Sequence, residues 1–513
     1  IMAARGGGPA DIGVIRGFTT QGVAASRSLN GLAGMAPLAF PSTDSIERVE
    51  VLRGPTALLN GLSISGQANI GGSVNLVTKK ADDEPLTQLT TRYMSNSQFG
   101  THVDVGRRFG DSKEFGVRFN GSLDGGHTPV DGQTSRFGTA ALNLDYRGER
   151  VRLSADVAHQ SQRLDPSFYG VVLFATPGLL GSLTGIPEAP SSRKALAPSW
   201  ASNSYKSTMG MVQGEVDILE NLTAYAAIGA QRLDTKFITD WAGLNLVDQD
   251  GTVAFPSRAI FNRTDVLSMQ GGVRAKVETG PVNHALNLNS SRLRWTYGTA
   301  MVGGAVLPAG TMYNPIFPPF PTVGDPGDPI RTTETTGSSI GIADTMSFLD
   351  ERIQFTVGIR YQQVVSHAFD AATGMIRSTY DSDAWTPAFA LVVKPQENVS
   401  LYANYIEALQ PGTIVGAGYT NTGDVFPPYT SKQYETGVKV DWGTVTTTLG
   451  VFQIAQPSAI AIPGIGGGAP TMALNGEQRN RGIELNSYGE LLDGVRLLGG
   501  ITLLDSRRSQ ASL

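Results

Sequence analysis

An all-β transmembrane antiparallel barrel, preceded by a compact mixed α/β region, is the fold class that this sequence predicts. Three observations predict it. From about residue 86 onward the chain reads as roughly sixteen short segments of apolar–polar alternation, the two-residue period of strands with unlike faces. The links between these segments include both tight turns and long stretches rich in Pro, Gly and aromatics, as in a membrane barrel. No run of 18 apolar residues offers a membrane helix, and mean hydropathy is −0.09, near the neutral value that alternating faces produce.

Composition narrows the function classes. The 513 residues carry a net charge of −5 and lack the basic stripe that phosphate binding needs, which excludes a nucleic-acid partner. There is no Cys, so neither a disulfide framework nor a thiolate metal site exists. The histidines (His102, His127, His159, His284 and His367) are scattered, with no HExxH and no paired-ligand spacing, and no nucleophile motif accompanies them. Neither a catalytic nor a metal centre is expected.

The elements follow in order. Residues 46–52 alternate Ile46, Val49, Val51 and Leu52 with Glu47, Arg48 and Glu50, which predicts a strand. Gly54-Pro55 ends it, residues 56–59 give one helical turn capped by Gly61, and Gly71-Gly72 turns the chain into a strand at 74–78. In 136–146 one face carries Ala140, Leu142, Leu144 and Tyr146, and the other Thr139, Ala141, Asn143 and Asp145. In 151–158 Val151, Leu153, Ala155 and Val157 oppose Arg152, Ser154, Asp156 and Ala158. The pattern recurs at 115–124, 209–217, 353–362, 434–442 and 481–488. The long stretches 161–206, 233–263, 301–335, 408–430 and 455–480 are expected at one mouth. Tyr146, Tyr361 and Trp442 sit near strand ends, where an interfacial girdle places aromatics. No blade-length repeat supports a propeller.

Three phrases stand in order near the start: Ile15-Arg16-Gly17-Phe18, IERVEVLRGPTALLNG at 46–61 and GGSVNLVTKK at 71–80. Later come SLYANYIEALQPG at 400–412, SKQYETGVK at 431–439 and RNRGIELNSYGELL at 479–492. Together these resemble the TonB-dependent outer-membrane siderophore receptors of the ferrichrome and pyoverdine type. The resemblance implies a barrel of about 22 strands with a mixed α/β plug domain inside. Residues 1–84 would be the C-terminal part of the plug and 85–513 the barrel. The family's signal peptide, TonB box, first half of the plug and last strands have no counterpart here, so a piece of a longer protein is expected. The implied function is active import of a metal-chelate, a ferric siderophore above all, across the bacterial outer membrane. TonB with ExbB–ExbD would supply the energy. The protein would be no enzyme and hold no cofactor, its metal arriving as a chelate. It would be a monomer among outer-membrane lipid and lipopolysaccharide. Other cargoes within the class are a copper chelate, cobalamin, haem or a glycan. A passive porin-type barrel is the rival from another class, and LRGPTALL argues against it, because a porin needs no plug.

Site residues follow from the same resemblance. Apical plug loops place Arg5, Gln21, Gly22 and the stretch from Met35 to Phe40 toward the ligand. Arg5 offers forked donors to an anionic chelate. Tyr169, Trp200, Trp241, Trp295, Tyr313 and Phe317 are aromatic candidates for packing on an organic chelator. Strand parity adds a sharper expectation. Tyr434, Thr436, Val438, Val440 and Trp442 form a lipid face, which turns Glu435, Lys439 and Asp441 into the lumen. Ile483 and Leu485 do the same for Glu484. Two lumenal carboxylates call for partners. The resemblance supplies Arg16 and Arg53, each beside a glycine, for a plug–barrel ionic cluster with Glu435 and Glu484.

Overall fold

A computed structural model describes residues 2–3, 13–19, 27–37, 42–54, 70–94, 96–167, 171–172, 184–238, 244–317, 323–464 and 468–509. Strands dominate it. Seventeen wall strands of nine residues or more run from Leu86–Met94 to Val495–Ser509 among the described residues, each paired antiparallel with the next. Together they curl into a barrel.

The parity read from the sequence is the parity of the wall. Leu142, Leu144, Leu153 and Val157 are exposed outward, whereas Asn143, Asp145, Ser154 and Asp156 are buried on the lumen side. Outward aromatics pair across neighbouring strands, Phe115 with Tyr146 at 5.1 Å and Tyr361 with Trp385 at 5.2 Å between centroids. Paired rings of this kind suit the lipid–water boundary.

Tight links such as 148–150, 220–221, 280–281 and 442–444 share one rim, and the strand ends that flank 166–201, 312–329 and 411–428 share the other. The long stretches are therefore at one mouth, but several are shorter than expected. Strands Thr252–Thr279 and Val282–Thr311 continue deep into 233–263 and 301–335, and Val445–Ile462 with Thr471–Leu492 covers most of 455–480. Proline misled the reading. The ladder absorbs Pro256 and Pro457 beside register shifts, where the missing N–H does least harm.

Inside the barrel sit two small sheets. One is mixed: Arg27–Leu29 runs parallel to Gly72–Thr78, which pairs antiparallel with Ile46–Arg53, and Leu32–Ala33 closes the edge. The other joins Met2–Ala3, Gly13–Ile15 and Phe18–Thr19. Gly71 and Gly72 let these sheets touch: a Cβ on Gly71 would lie 2.0 Å from the Ile15 carbonyl oxygen. The helical turn expected at 56–59 lies outside the described residues. Plug and wall share apolar cores, one of Leu29, Leu32 and Met35 against Met209 and Met211, another of Phe18 and Ile70 against Phe452 and Ile454.

Candidate functional site

The plug meets the wall through a two-residue turn. Ile15 pairs with Phe18, which leaves Arg16 and Gly17 at the corner with φ of 52° and 80°. Positive φ at both positions is the hairpin geometry that matches strand twist, but a side chain there is uncommon. The Arg16 side chain explains the exception. Its Nη1 lies 2.8 Å from Glu435 Oε2 and its Nη2 3.0 Å from Glu435 Oε1. The same Nη2 lies 2.9 Å from Glu484 Oε2, and Nε 3.3 Å from Glu484 Oε1. One guanidinium thus forks onto two carboxylates. Nη1 also donates to Gln433 Oε1, and the cation stacks 4.2 Å from the Phe452 ring centroid.

Arg53 completes the group from the strand Ile46–Arg53. It donates to Glu484 Oε2 at 3.4 Å and to Asn486 Oδ1 at 2.8 Å. The two arginines differ in setting. The Arg16 side chain is 2% exposed, with Glu435 at 10% and Glu484 at 8%, while Arg53 is 39% exposed. Two cations face two anions, so the cluster is neutral as a unit. Burial alone pulls the Arg16 pKa down, but its hydrogen bonds to Glu435 and Glu484 outweigh that and hold it above the usual arginine value.

The neighbouring glycines allow this close approach. A Cβ on Gly17 would stand 2.4 Å from Asn480 Nδ2, and one on Gly54 2.4 Å from Gln433 Nε2. Those wall amides are engaged: Asn480 Nδ2 donates to the Arg16 carbonyl at 2.8 Å, and Gln433 Nε2 donates to Asn404 and Glu435.

The other expected site residues divide. Met35 is fully buried between plug and wall, and a Cβ on Gly229 would stand 2.8 Å from its Cε. In this structure the side chain packs in the apolar core shared by plug and wall. Trp200 and Phe317 both pack edge-on against Phe255, at 5.6 and 5.8 Å, in an apolar cluster with Leu244, Leu246 and Met312 that ties the long loops together. Tyr313 donates its hydroxyl to the Glu188 carbonyl in the same region and stays 40% exposed. Trp295 stacks on Tyr297 at 5.7 Å and packs near Ala33 of the plug. Arg5, Gln21, Gly22, Phe40, Tyr169 and Trp241 lie outside the described residues.

A family model described as TonB dependent receptor-like, beta-barrel matches residues 52–512. The chain belongs to the TonB-dependent receptor family. Its barrel is accordingly an outer-membrane barrel. Among its relatives, the ferrichrome receptor FcuA of Yersinia enterocolitica is 35% identical over 99% of this chain and 66% of FcuA. The metal-pseudopaline receptor CntO of Pseudomonas aeruginosa is 23% identical over 91% of this chain and 64% of its own length. The crystal structure of BauA, the ferric preacinetobactin receptor from Acinetobacter baumannii, superposes with a TM-score of 0.88 at 36% identity, covering 99% of this chain and 74% of BauA. The chain thus spans about two-thirds of the length of these curated relatives. The relatives carry receptor names, not enzyme names.

In this TonB-dependent receptor a second plug–wall fastening went unread in the sequence. Arg92 of the wall donates a forked pair of hydrogen bonds to Asp44 of the plug at 3.0 and 2.7 Å, and its Nε donates to Asp124 at 2.7 Å. The Arg92 hydrogen bond is the main cause that lowers the Asp44 pKa to about 2. Nearby, Lys79 Nζ lies 3.1 Å from Asp104, which also binds Arg118. Lumen parity of Asp104, Arg118 and Asp124 was the available signal; Asp44, in an irregular turn, gave none.

Proposed function

We propose that this chain is the plug (residues 1–84) and much of the barrel (85–513) of an active importer of a ferric siderophore. TonB, with ExbB–ExbD, would release the cargo inward. The observation that carries this reading is the buried Arg16–Glu435–Glu484 cluster. It seats the plug against the wall in one orientation, and a seated plug rules out free diffusion, so passage requires work on the plug. The siderophore class rests on the names of FcuA and BauA, both above one-third identity to this chain. The likeness to CntO favours a second reading within the same mechanism, a metal chelate other than a ferric one.

In this reading the arginines and glutamates are structural, and cargo binds at the loop mouth, where Tyr313 and the masses of aromatic side chains around Trp200 and Phe317 lie. The protein catalyses no reaction and holds no resident cofactor; it acts as a monomer in lipid and lipopolysaccharide. Growth of an iron-starved strain on a panel of hydroxamate, catecholate and mixed ferric chelates tests the reading. Growth on at least one chelate that needs both this protein and TonB is the expected result. Equal growth with and without the protein on every chelate would overturn it.

A further inference from the structure

The plug is not held equally all round. Buried ion pairs fasten it to the strands Tyr429–Asp441 and Thr471–Leu492, and part-buried ones to Leu86–Met94 and Gln98–Phe109. Between these flanks, along Thr134–Arg147, Val151–Asp165 and Ser202–Leu219, the wall differs. Thr139 Oγ1, Asn143 Oδ1, Ser154 Oγ, Gln162 Oε1 and the Asn203 amide are buried with no protein partner. Elsewhere such atoms are scattered singly. Register places these five at successive heights: Asp145 opposite Ser154, Asn143 opposite Asp156, Thr139 opposite Gln160, Phe137 opposite Gln162, and Leu164 opposite Asn203. From the level of Ser154 to that of Leu164 the file climbs about 33 Å of strand, enough to cross the apolar belt at the usual tilt.

Two cavities lie on this file. One of about 390 Å³ is bounded by Asn30, Lys80, Asp145, Ser154, Gln213 and Tyr225. Above it a cavity of about 40 Å³ is bounded by Thr78, Thr139, Asn143, Asp156 and Gln160, room for roughly two or three waters. Asn30 stands between them: its Nδ2 lies 3.0 Å from Asp156 Oδ2 and 2.9 Å from Thr78 Oγ1. The apolar contacts at this flank set Leu29, Leu32, Met35 and Leu76 of the plug against Met209, Met211 and Ala227 of the wall, and the methionines among them repack easily. Parting the plug here breaks the Asn30–Asp156 bond, the hydrogen bond from Ser42 N–H to Gln160 Oε1 at 3.2 Å and the contacts of a leucine–methionine cluster, and exposes groups already suited to water. Parting it at Arg16 strands buried charges.

We infer that this flank is a seam along which a polar chelate passes inward, closed at rest by the Asn30–Asp156 bond. The inference rests on the import reading above. The file of hydroxyls and amides suits a polar, hydrogen-bonding cargo, whereas the opposite flank presents Phe452 and Ile454 beside the cluster.

These 513 residues contain no Cys, so an introduced cysteine is the one thiol among them. Thr139→Cys probes the seam and Ile454→Cys the opposite flank, each challenged with N-ethylmaleimide in cells. The hydroxamate, catecholate or mixed ferric chelate on which growth depends in that panel, added as cargo to cells with an energised membrane, should raise labelling at 139 at least tenfold and leave 454 within twofold. Without cargo, Asn30→Ala should raise labelling at 139 several-fold and not at 454. Asn203→Cys serves if Thr139→Cys does not assemble. Equal rises at both flanks, a rise at 454 alone, or no rise at 139 while uptake proceeds would each overturn the seam. Uptake by the parent chain is measured alongside, so failure of the import reading shows separately as no energised uptake at all.

Discussion

Replacing Arg16 by Gln removes the one cation shared by Glu435 and Glu484 and leaves a neutral polar side chain, two heavy atoms shorter, in its place. Glu435 then retains the Tyr402 hydroxyl at 3.2 Å and Gln433 at 3.1 Å, and Glu484 retains only the long contact to Arg53. Two carboxylates near one-tenth exposure would be left without adequate charge compensation. Breaking a buried pair in this way costs about 3–5 kcal/mol. Because 1.4 kcal/mol is a factor of ten, the opening equilibrium of the plug edge should rise by about two to three and a half orders of magnitude. Arg53→Ala removes a cation already 39% exposed, and should cost about 1 kcal/mol or less. Amide hydrogen exchange of the turn between Ile15 and Phe18 reads the first quantity directly, and influx of a large antibiotic reads its consequence. A double-mutant cycle of Arg16→Gln with Glu435→Gln should return a coupling above about 1.5 kcal/mol. If Arg53→Ala loosened the plug as much as Arg16→Gln, or if Arg16→Gln left exchange unchanged, the burial argument would be wrong.

Other consequences are equally open to measurement. Asp44 has its folded pKa lowered from 3.8 to about 2, so the stability it contributes is present above about pH 4 and lost as pH falls through about 2. That contribution is on the order of 1–2 kcal/mol after allowing for the one-third exposure of Arg92; acid titration of plug exchange should show it, and Asp44→Asn should abolish that acid step. Gly17→Ala should destabilise seating by about 1 kcal/mol or more beyond Gly31→Ala. Both have φ above 80° or at it, but only Gly17 has a wall atom within 2.4 Å of the new Cβ, while Gly31 faces open space. Thermal unfolding midpoints of the two variants compare them. Leu142→Arg, on the lipid face, should destabilise the barrel in bilayers by about 2–4 kcal/mol if it lies at mid-depth, and Ala141→Ser on the lumen face should not; a reversed order in urea titrations would contradict the parity.

Parity was legible because a strand's side chains alternate whatever the tertiary context, so Leu142 and Asn143, or Ile483 and Glu484, sort correctly from the sequence. The meeting of Arg16 with Glu435 and Glu484 was legible for a compound reason: parity turned the carboxylates inward, flanking glycines left room for a plug backbone to come close, and the resemblance to siderophore receptors supplied which arginines meet them. Met35 was illegible. Its burial depends on Met209, Met211 and Gly229, more than a hundred residues away, and nothing local announces them. Loop extents were misread because proline usually ends a strand, yet Pro256 and Pro457 sit at ladder irregularities. Asp44 lies in a turn without period, and its partner Arg92 became visible only once the first wall strand was placed against the plug.

The central claim is that cargo crosses only when work is done on a seated plug. Accumulation of a ferric siderophore by cells carrying this protein tests it most directly, measured with TonB present and deleted. The account predicts that binding at the surface persists without TonB while accumulation falls to the level of cells lacking the receptor. Accumulation at the full rate without TonB would contradict it.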